Sequence, residues 1–318
     1  MISDPGTPTL DQLRVLVTVV EVGSFAGAAR KLNRATSVIS YTIANLEAQL
    51  GVRLFDREST RKPQLTDAGR MVLGEARLVA SGIDTLRAKT KGLLQGLESE
   101  LHVVLDTFLP KDRVVDALTG FFAAFPTVSL HLSVETLGAV TQLILNRRAT
   151  VGVSGPLDTM DGIERIAIGG VRMIPVAATT HPLAMAAHNA PGAGREHIQL
   201  ILTDRSPLTE GRTFGVMSSR MWKLADVSSK HMLLNAGIGW GFMPEPMVRD
   251  DVAAGRLVVL DMPDAASGDY ALHAIHRSDT LPGPAASWLI DRLRSQTRDG
   301  APAPVAVAAA SASGDRPE

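Results

Sequence analysis

The hydrophobic period of this chain changes once, near Glu100, and the change divides it into an all-helical part and a part where strands alternate with helices. Before it, apolar residues recur at the three-and-four spacing of a helix face. After it, short apolar runs alternate with such faces. Two cores are required, and 318 residues are enough to bury both.

The first part reads as four helices. Thr9-Leu10-Asp11-Gln12 is a capping-box pattern, with the threonine hydroxyl accepting from an early amide and the glutamine reaching back. Leu10, Leu13, Leu16, Val17 and Val20 then form one face, closed by Gly23. Ser24 caps a second helix to about Leu32, with Phe25, Ala28, Ala29 and Leu32 inward. Its two alanines are small enough for a neighbouring helix to come close. After a break at Asn33 to Ala35, a third helix runs from Thr36 to Leu50 on a stripe of Val38, Ile39, Ile43, Leu46 and Leu50. Its other faces carry Ser37, Ser40, Tyr41, Thr42 and Asn45. Two short helices joined by a few residues, the second polar outward, form a helix-turn-helix whose second helix fits a major groove about 12 Å wide.

Val52 to Arg57 and Pro63 to Leu65 are short extended stretches around the charged turn Glu58 to Lys62. They make a candidate wing with a basic tip; an ordinary solvated loop is the other reading. Thr66 caps a long fourth helix from Asp67 to about Leu94. Val72, Ala76, Val79, Ile83, Leu86, Thr90 and Leu93 repeat at heptad spacing, which predicts self-association unless the seam packs on the chain's own second domain.

Charge divides in the same place. Residues 1 to 96 hold 13 Lys and Arg against 9 Asp and Glu, net +4, and the remainder holds 19 against 24, net -5. Arg30, Lys31, Arg34, Arg53, Arg57, Arg61 and Lys62 cluster in the first part. A small basic module followed by a larger, mildly acidic one is the outline of a nucleic-acid reader joined to a sensor.

After Glu100, strands are expected at Leu101 to Leu105, Val128 to Val134 and Thr150 to Ser154, with helices over Pro110 to Phe125 and Leu137 to Asn146. That βαβαβ order predicts a parallel sheet covered by helices. A second small α/β unit follows after Ile163. Its strands are expected at Met173 to Ala178, Ile198 to Leu202, Thr213 to Met217, Trp240 to Met243, Val258 to Leu260 and Tyr270 to His276. Its helices are expected at Pro182 to Asn189, Ser229 to Ala236 and Pro284 to Gln296, with a turn or short helix from Pro244 to Asp250. Residues 298 to 318 are rich in Ala, Pro, Ser and Gly without apolar anchors and read as a disordered tail.

Several function classes fall away. Without cysteine, disulfides, thiolate zinc sites and cysteine nucleophiles are excluded. Gly237-Ile238-Gly239-Trp240-Gly241 lacks the third glycine of a dinucleotide fingerprint, and no P-loop, HExxH or GxSxG pattern occurs. His181 and His188 flank an apolar segment, and His273 and His276 lie on opposite sides of one strand, so the histidines read as surface or packed residues rather than metal ligands. The start lacks the basic stretch and apolar run of a signal peptide. Val15 to Val22, interrupted by Thr18 and Glu21, falls short of the roughly 18 apolar residues of a membrane span. A soluble cytoplasmic protein, not an enzyme and without a cofactor, is expected.

The stretch Leu13 to Arg57 carries Phe25, Ala28, Ala29 and Leu32, then Ser40, Ile43 and Leu46-Glu47, then Leu50-Gly51-Val52 and Leu54-Phe55-Asp56-Arg57. It resembles the amino-terminal domain of the LysR-type transcriptional regulators. Leu65-Thr66-Asp67-Ala68-Gly69 is similar to the start of that family's linker helix. The resemblance covers about residues 9 to 297, more loosely after 100. It implies a winged helix-turn-helix (all-α with a short β wing) over 1–65 and a dimerising linker helix over 66–96. Over 97–297 it implies an α/β effector module of the type II periplasmic-binding-protein fold, with subdomains 97–167 plus 273–297 and 168–272. The implied partners are double-stranded promoter DNA, a small organic effector, a second copy in a homodimer or dimer-of-dimers tetramer, and RNA polymerase as a candidate.

Carried over residue by residue, the DNA-facing set is Thr36, Ser37, Ser40 and Tyr41, with Arg34 and Arg57 near phosphates. Ala35-Thr36 stands where the family commonly has a Ser or Thr cap and then Gln, and Tyr41 stands where Arg or His is common. The bidentate readings of adenine and guanine that those residues give are therefore absent. The effector pocket is implied at strand ends and helix starts: Thr107, Phe108, Thr136, Ser154, Thr203, Ser228, Ser229 and Phe242. Hydroxyls and helix amino termini there suit an anion, although no Arg or Lys belongs clearly to these segments. The competing reading is a two-subdomain small-molecule-binding or metabolic protein whose helix-turn-helix is not functional. Coherent capping, core pattern and basic wing argue against it.

Overall fold

The computed structural model describes residues 6–56, 63–157, 160–185, 189–210, 212 and 214–296, in two compact units divided between Leu94 and Gln95. In the first unit α1 (Leu10–Val22) opens on the expected capping box: Thr9 Oγ1 accepts the Gln12 amide at 3.3 Å, and Gln12 Oε1 accepts the Thr9 amide at 2.7 Å. Ser24 caps α2 (Phe25–Leu32), which ends on a left-handed Asn33, and α3 (Thr36–Leu50) follows.

Ala35 gives α3 no side-chain cap, a loss of about 0.5–2 kcal/mol against serine or threonine. Burial decides the balance. Ile39, Ile43 and Leu46 pack against Val15, Leu16, Val19, Ala28 and Ala29, and each large apolar side chain fully buried contributes about 1.5–3 kcal/mol.

Phe55 and Leu65 pair antiparallel at the base of the wing. Its tip, residues 57–62 with the expected basic turn and Arg57, lies outside the described residues. Glu47 on α3 accepts the Leu54 and Phe55 amides at 2.7 and 3.2 Å, tying the base of the wing to α3. α4 (Asp67–Leu94) starts where Thr66 Oγ1 accepts the Gly69 amide at 2.9 Å. A Cβ on Gly69 would lie 2.1 Å from the Leu54 carbonyl oxygen, so only glycine permits this approach. Leu73 and Ala76 complete the core, whereas Val79, Leu86 and Leu93 of the seam are exposed.

In the second unit β1 (Glu100–Asp106), α5 (Lys111–Ala124), β2 (Ser129–Glu135), α6 (Gly138–Leu145) and β3 (Val151–Ser154) form the expected βαβαβ unit, with β1 parallel to β2 and β3. β4 (Ile163–Ala178), α7 (Pro182–Met185), β5 (Gln199–Leu202), β6 (Met221–Leu224), α8 (Val227–Asn235), β7 (Trp240–Pro244), α9 (Glu245–Ala253), β8 (Leu257–Val259), β9 (Gly268–Arg277) and α10 (Pro284–Ser295) follow. One sheet runs β2-β1-β3-β9-β4-β7-β5-β6, with β8 paired to β4. Among the described residues no single helix is long and apolar enough to cross a membrane.

Besides β6, a strand that the sequence reading does not place, the α/β unit departs from the sequence expectation in three places. The two α/β units share one sheet, because β4 starts at Ile163 and pairs antiparallel with β9 from Ile163↔Arg277 to Met173↔Gly268. A register shift between Ala167 and Gly170 interrupts that ladder, and its glycines concealed the strand. The strand expected at Thr213 to Met217 is absent from residues 214–217. Gln199 replaces a neighbouring strand there: its Nε2 donates to the Gly215 carbonyl at 2.7 Å, and its Oε1 accepts the Met217 and Ser218 amides at 2.8 and 3.0 Å. Gly215, at φ +65°, also turns the backbone out of extended geometry. The helix expected to reach Asn189 ends in the description at Met185, with 186–188 outside it. Asn189 is irregular, and its Nδ2 donates to the Leu183 and Asp261 carbonyls.

Candidate functional site

The inward stripe of α3 leaves Thr36, Ser37, Ser40 and Tyr41 together on its exposed side, with Tyr41 68% exposed. Val38, expected in the apolar stripe, is 45% exposed, because Ile39, Ile43 and Leu46 alone take the inward arc. Arg34 is already engaged. Its Nη1 and Nη2 donate to the Asp11 carboxylate at 2.7 and 2.8 Å. Those hydrogen bonds hold the Asp11 carboxyl below its usual range. Arg57 lies outside the described residues.

A cavity of about 260 Å³ lies in the second unit. Phe108, Thr136 and Phe242 of the expected set line it, with Leu137, Gln199, Lys230 and Tyr270. Thr203 lines a neighbouring, larger pocket of about 480 Å³ with Asp204 and Arg205, and its hydroxyl donates to the Leu224 carbonyl. Thr107, Ser154, Ser228 and Ser229 are not brought to the cavity wall. Ser154 is buried, with its hydroxyl donating to the Gly155 carbonyl at 3.3 Å. The Ser228 and Ser229 amides donate to Asp226, the N-cap of α8, at 2.8 and 3.0 Å, so that helix start is already satisfied by the chain's own carboxylate.

Sequence reasoning missed two buried charges. Asp106, at the end of β1, accepts the Phe108 amide at 2.8 Å, the Tyr270 hydroxyl at 2.9 Å and the Leu137 amide at 3.4 Å, tying three wall residues together. Burial pushes its carboxyl up to about 6, against the pull of those hydrogen bonds, and burial beside it raises Tyr270 well above the usual phenol range. Lys230, on α8, is 4% exposed, and its Nζ donates to the Phe242 carbonyl at 2.7 Å. Burial depresses its ammonium to about 7. A polar residue in a short helix carried no signal that it would turn inward.

His181 and His276 are packed, His181 edge-on to His197, whereas His188 lies outside the described residues. The sheet does bring Glu100, His102 and His131 together on an exposed surface, with ligand atoms within 4.8 Å of one another. His102 and His131 are cross-strand partners with rings stacked at 4.4 Å.

A winged reading head, a long helical arm and an α/β module with a small, half-open cavity define a DNA-binding transcription regulator with an effector-binding domain. The profile described as bacterial regulatory helix-turn-helix protein, lysR family, matches residues 10–70, and that of the LysR substrate binding domain matches residues 94–298. The chain belongs to the LysR family, a family of transcription regulators rather than enzymes.

The chain is 25% identical over 295 residues to the HTH-type transcriptional regulator AceR of Acinetobacter baumannii, covering 92% of this chain and 98% of that protein. It is 28% identical over 290 residues to the probable HTH-type transcriptional regulator YhaJ of Escherichia coli, covering 89% and 94%. Among solved structures, ArgP of Mycobacterium tuberculosis aligns with a TM-score of 0.52 at 21% identity, over 94% of this chain and 99% of that one. A Corynebacterium glutamicum OxyR mutant with bound H2O2 aligns at 0.52 and 21%, over 92% and 95%. At that identity both speak to the fold alone.

Proposed function

We propose that the protein works in the cytoplasm as a sequence-specific regulator. It places α3 in the major groove of double-stranded promoter DNA and responds to a small organic effector held in the cavity beside Phe108, Thr136 and Phe242. The observation that carries the reading is the exposed polar face of α3, whose Ser37, Ser40 and Tyr41 stand opposite a closed core. Ser37, Ser40 and Tyr41 face bases beside Thr36, and Arg57 supplies a phosphate contact from the wing. Arg34, braced by Asp11, presents its charge at a fixed place before α3.

The uncovered apolar seam of α4 supports a homodimer, alone or as half of a dimer-of-dimers tetramer. Residues 97–167 plus 273–297 and 168–272 act as two subdomains, hinged where β4 shifts register against β9. A response requires the effector to bind two conformations unequally.

The test is titration of the full chain onto its own promoter region and onto scrambled DNA at several salt concentrations. A preference of about 10³ or more for the promoter is expected at physiological salt. Equal affinity for both overturns the proposal.

A further inference from the structure

The effector cavity carries a charge that the fold leaves uncompensated. Lys230 lies in the first turns of α8 and runs under β7, where Gly241 makes room for it: a Cβ there would lie 3.1 Å from Lys230 Cε. Its ammonium has three N–H groups, and among the described residues its one hydrogen bond is to the neutral Phe242 carbonyl. Among the described residues no carboxylate forms an ion pair with it, and Asp269, the carboxylate on the cavity wall, is exposed. An ammonium taken from water and given a single neutral acceptor is costly to the fold, and methionine would fill the same space without that cost. An anion reaching the cavity recovers the lost interaction.

The other polar groups on the wall narrow the ligand. Gln199 is occupied at both ends by the 215–218 backbone, and the Tyr270 hydroxyl donates to Asp106. The Thr136 hydroxyl makes no hydrogen bond among the described residues, and most of the remaining wall is apolar, including Phe108, Met173 and Phe242. A volume of about 260 Å³ lies below the roughly 300–1,000 Å³ of drug-sized sites.

We propose that Lys230 anchors the ligand of this cavity, and that the ligand is a small organic carboxylate whose headgroup bonds Lys230 Nζ while its apolar body packs on Phe108 and Phe242. Thr136 serves a second polar group on the same molecule. The inference rests on the effector reading above and adds its chemical class. It carries a signature that mere packing lacks. Because burial holds the free ammonium near 7, a bound carboxylate restores its charged form, and binding takes up a proton at about pH 8. Asp269 and Tyr270 are the other titratable groups lining the cavity.

The experiment is calorimetry on the full chain with 3-phenylpropanoate, cyclohexanecarboxylate and 4-methylpentanoate, each beside its primary amide, at about pH 8 in two buffers of different ionisation enthalpy. At least one carboxylate is expected to bind with uptake of close to one proton, and its amide at least about 10-fold more weakly. Lys230→Met is expected to lose at least about 10-fold in carboxylate affinity and to lose the proton uptake. Undiminished affinity in Lys230→Met, amides binding as well as acids, or binding without proton uptake overturns the anchor. If Lys230→Met does not fold, the acid–amide comparison and the proton count on the natural chain decide. A neutral or cationic metabolite occupying the cavity while every carboxylate fails overturns the carboxylate and leaves the effector reading standing. If no small molecule of any charge occupies it, both fall.

Discussion

Asp204 caps α6 from the loop after β5: its Oδ2 lies 2.7 Å from the Gly138 amide, and its Oδ1 lies 3.1 Å from the Ala139 amide. The same carboxylate accepts the Ser206 amide and the Thr209 hydroxyl. A helix start that would suit an effector's negative charge is thus filled from within. Asp204→Ala is expected to destabilise the α/β unit by about 1–2 kcal/mol. A Cβ on Gly138 would lie 2.5 Å from Asp204 Oδ2, so Gly138→Ala strikes the same contact. Thermal unfolding of the two single variants and the double variant checks this, and additive losses would show that the contact is not shared.

Asp106 makes the unit's stability depend on pH. Its folded carboxyl, raised by burial to about 6, holds a proton more tightly than the unfolded chain does at about 3.9. The resulting stabilisation is complete below about pH 4 and is lost as pH rises through about 6. Between about pH 4 and pH 7 the natural chain should lose on the order of 2–3 kcal/mol relative to Asp106→Asn. Urea unfolding of both at each pH measures the difference, and a constant offset would refute it.

On DNA, Tyr41→Ala should change base preference, because the ring stands on the exposed side of α3. Arg57→Ala should weaken all sequences alike and lower the salt slope by roughly one unit. Titrations on promoter and scrambled duplexes separate the two effects. An unchanged slope removes Arg57 from the phosphate set.

Replacing Val79 and Ile83 together with Asp puts charges into the proposed seam of α4. The dimer should dissociate while circular dichroism stays that of the folded chain. Sedimentation velocity reads the outcome, and a surviving dimer rules the seam out as the contact.

Local chemistry made the reading head legible. The Thr9–Gln12 box, Ser24 and the Ile39–Ile43–Leu46 stripe each state their element through neighbours a few residues away. The α/β unit was legible in order but not in extent. Only the Met173 to Ala178 end of β4 was placed from sequence; the rest, through Gly169 and Gly170, is seen from its pairing with β9. Gln199 satisfying a loop with its side chain has no local signature. Phe108, Thr136 and Phe242 could be placed from strand ends, whereas Asp106 and Lys230 depend on contacts between segments far apart in sequence.

The glycine contact beneath the wing has a consequence for operator geometry. Leu54 rests on Gly69 and Glu47 accepts the Leu54 and Phe55 amides, so these contacts tie α3 to the first turn of α4. In a dimer zipped along the seam, one residue inserted into α4 beyond Ala76 would displace each reader by about 1.5 Å and rotate it by about 100°. Seven inserted residues would nearly restore its facing. If the proposed dimer holds, the interval between its half-sites is set by the length of a single helix.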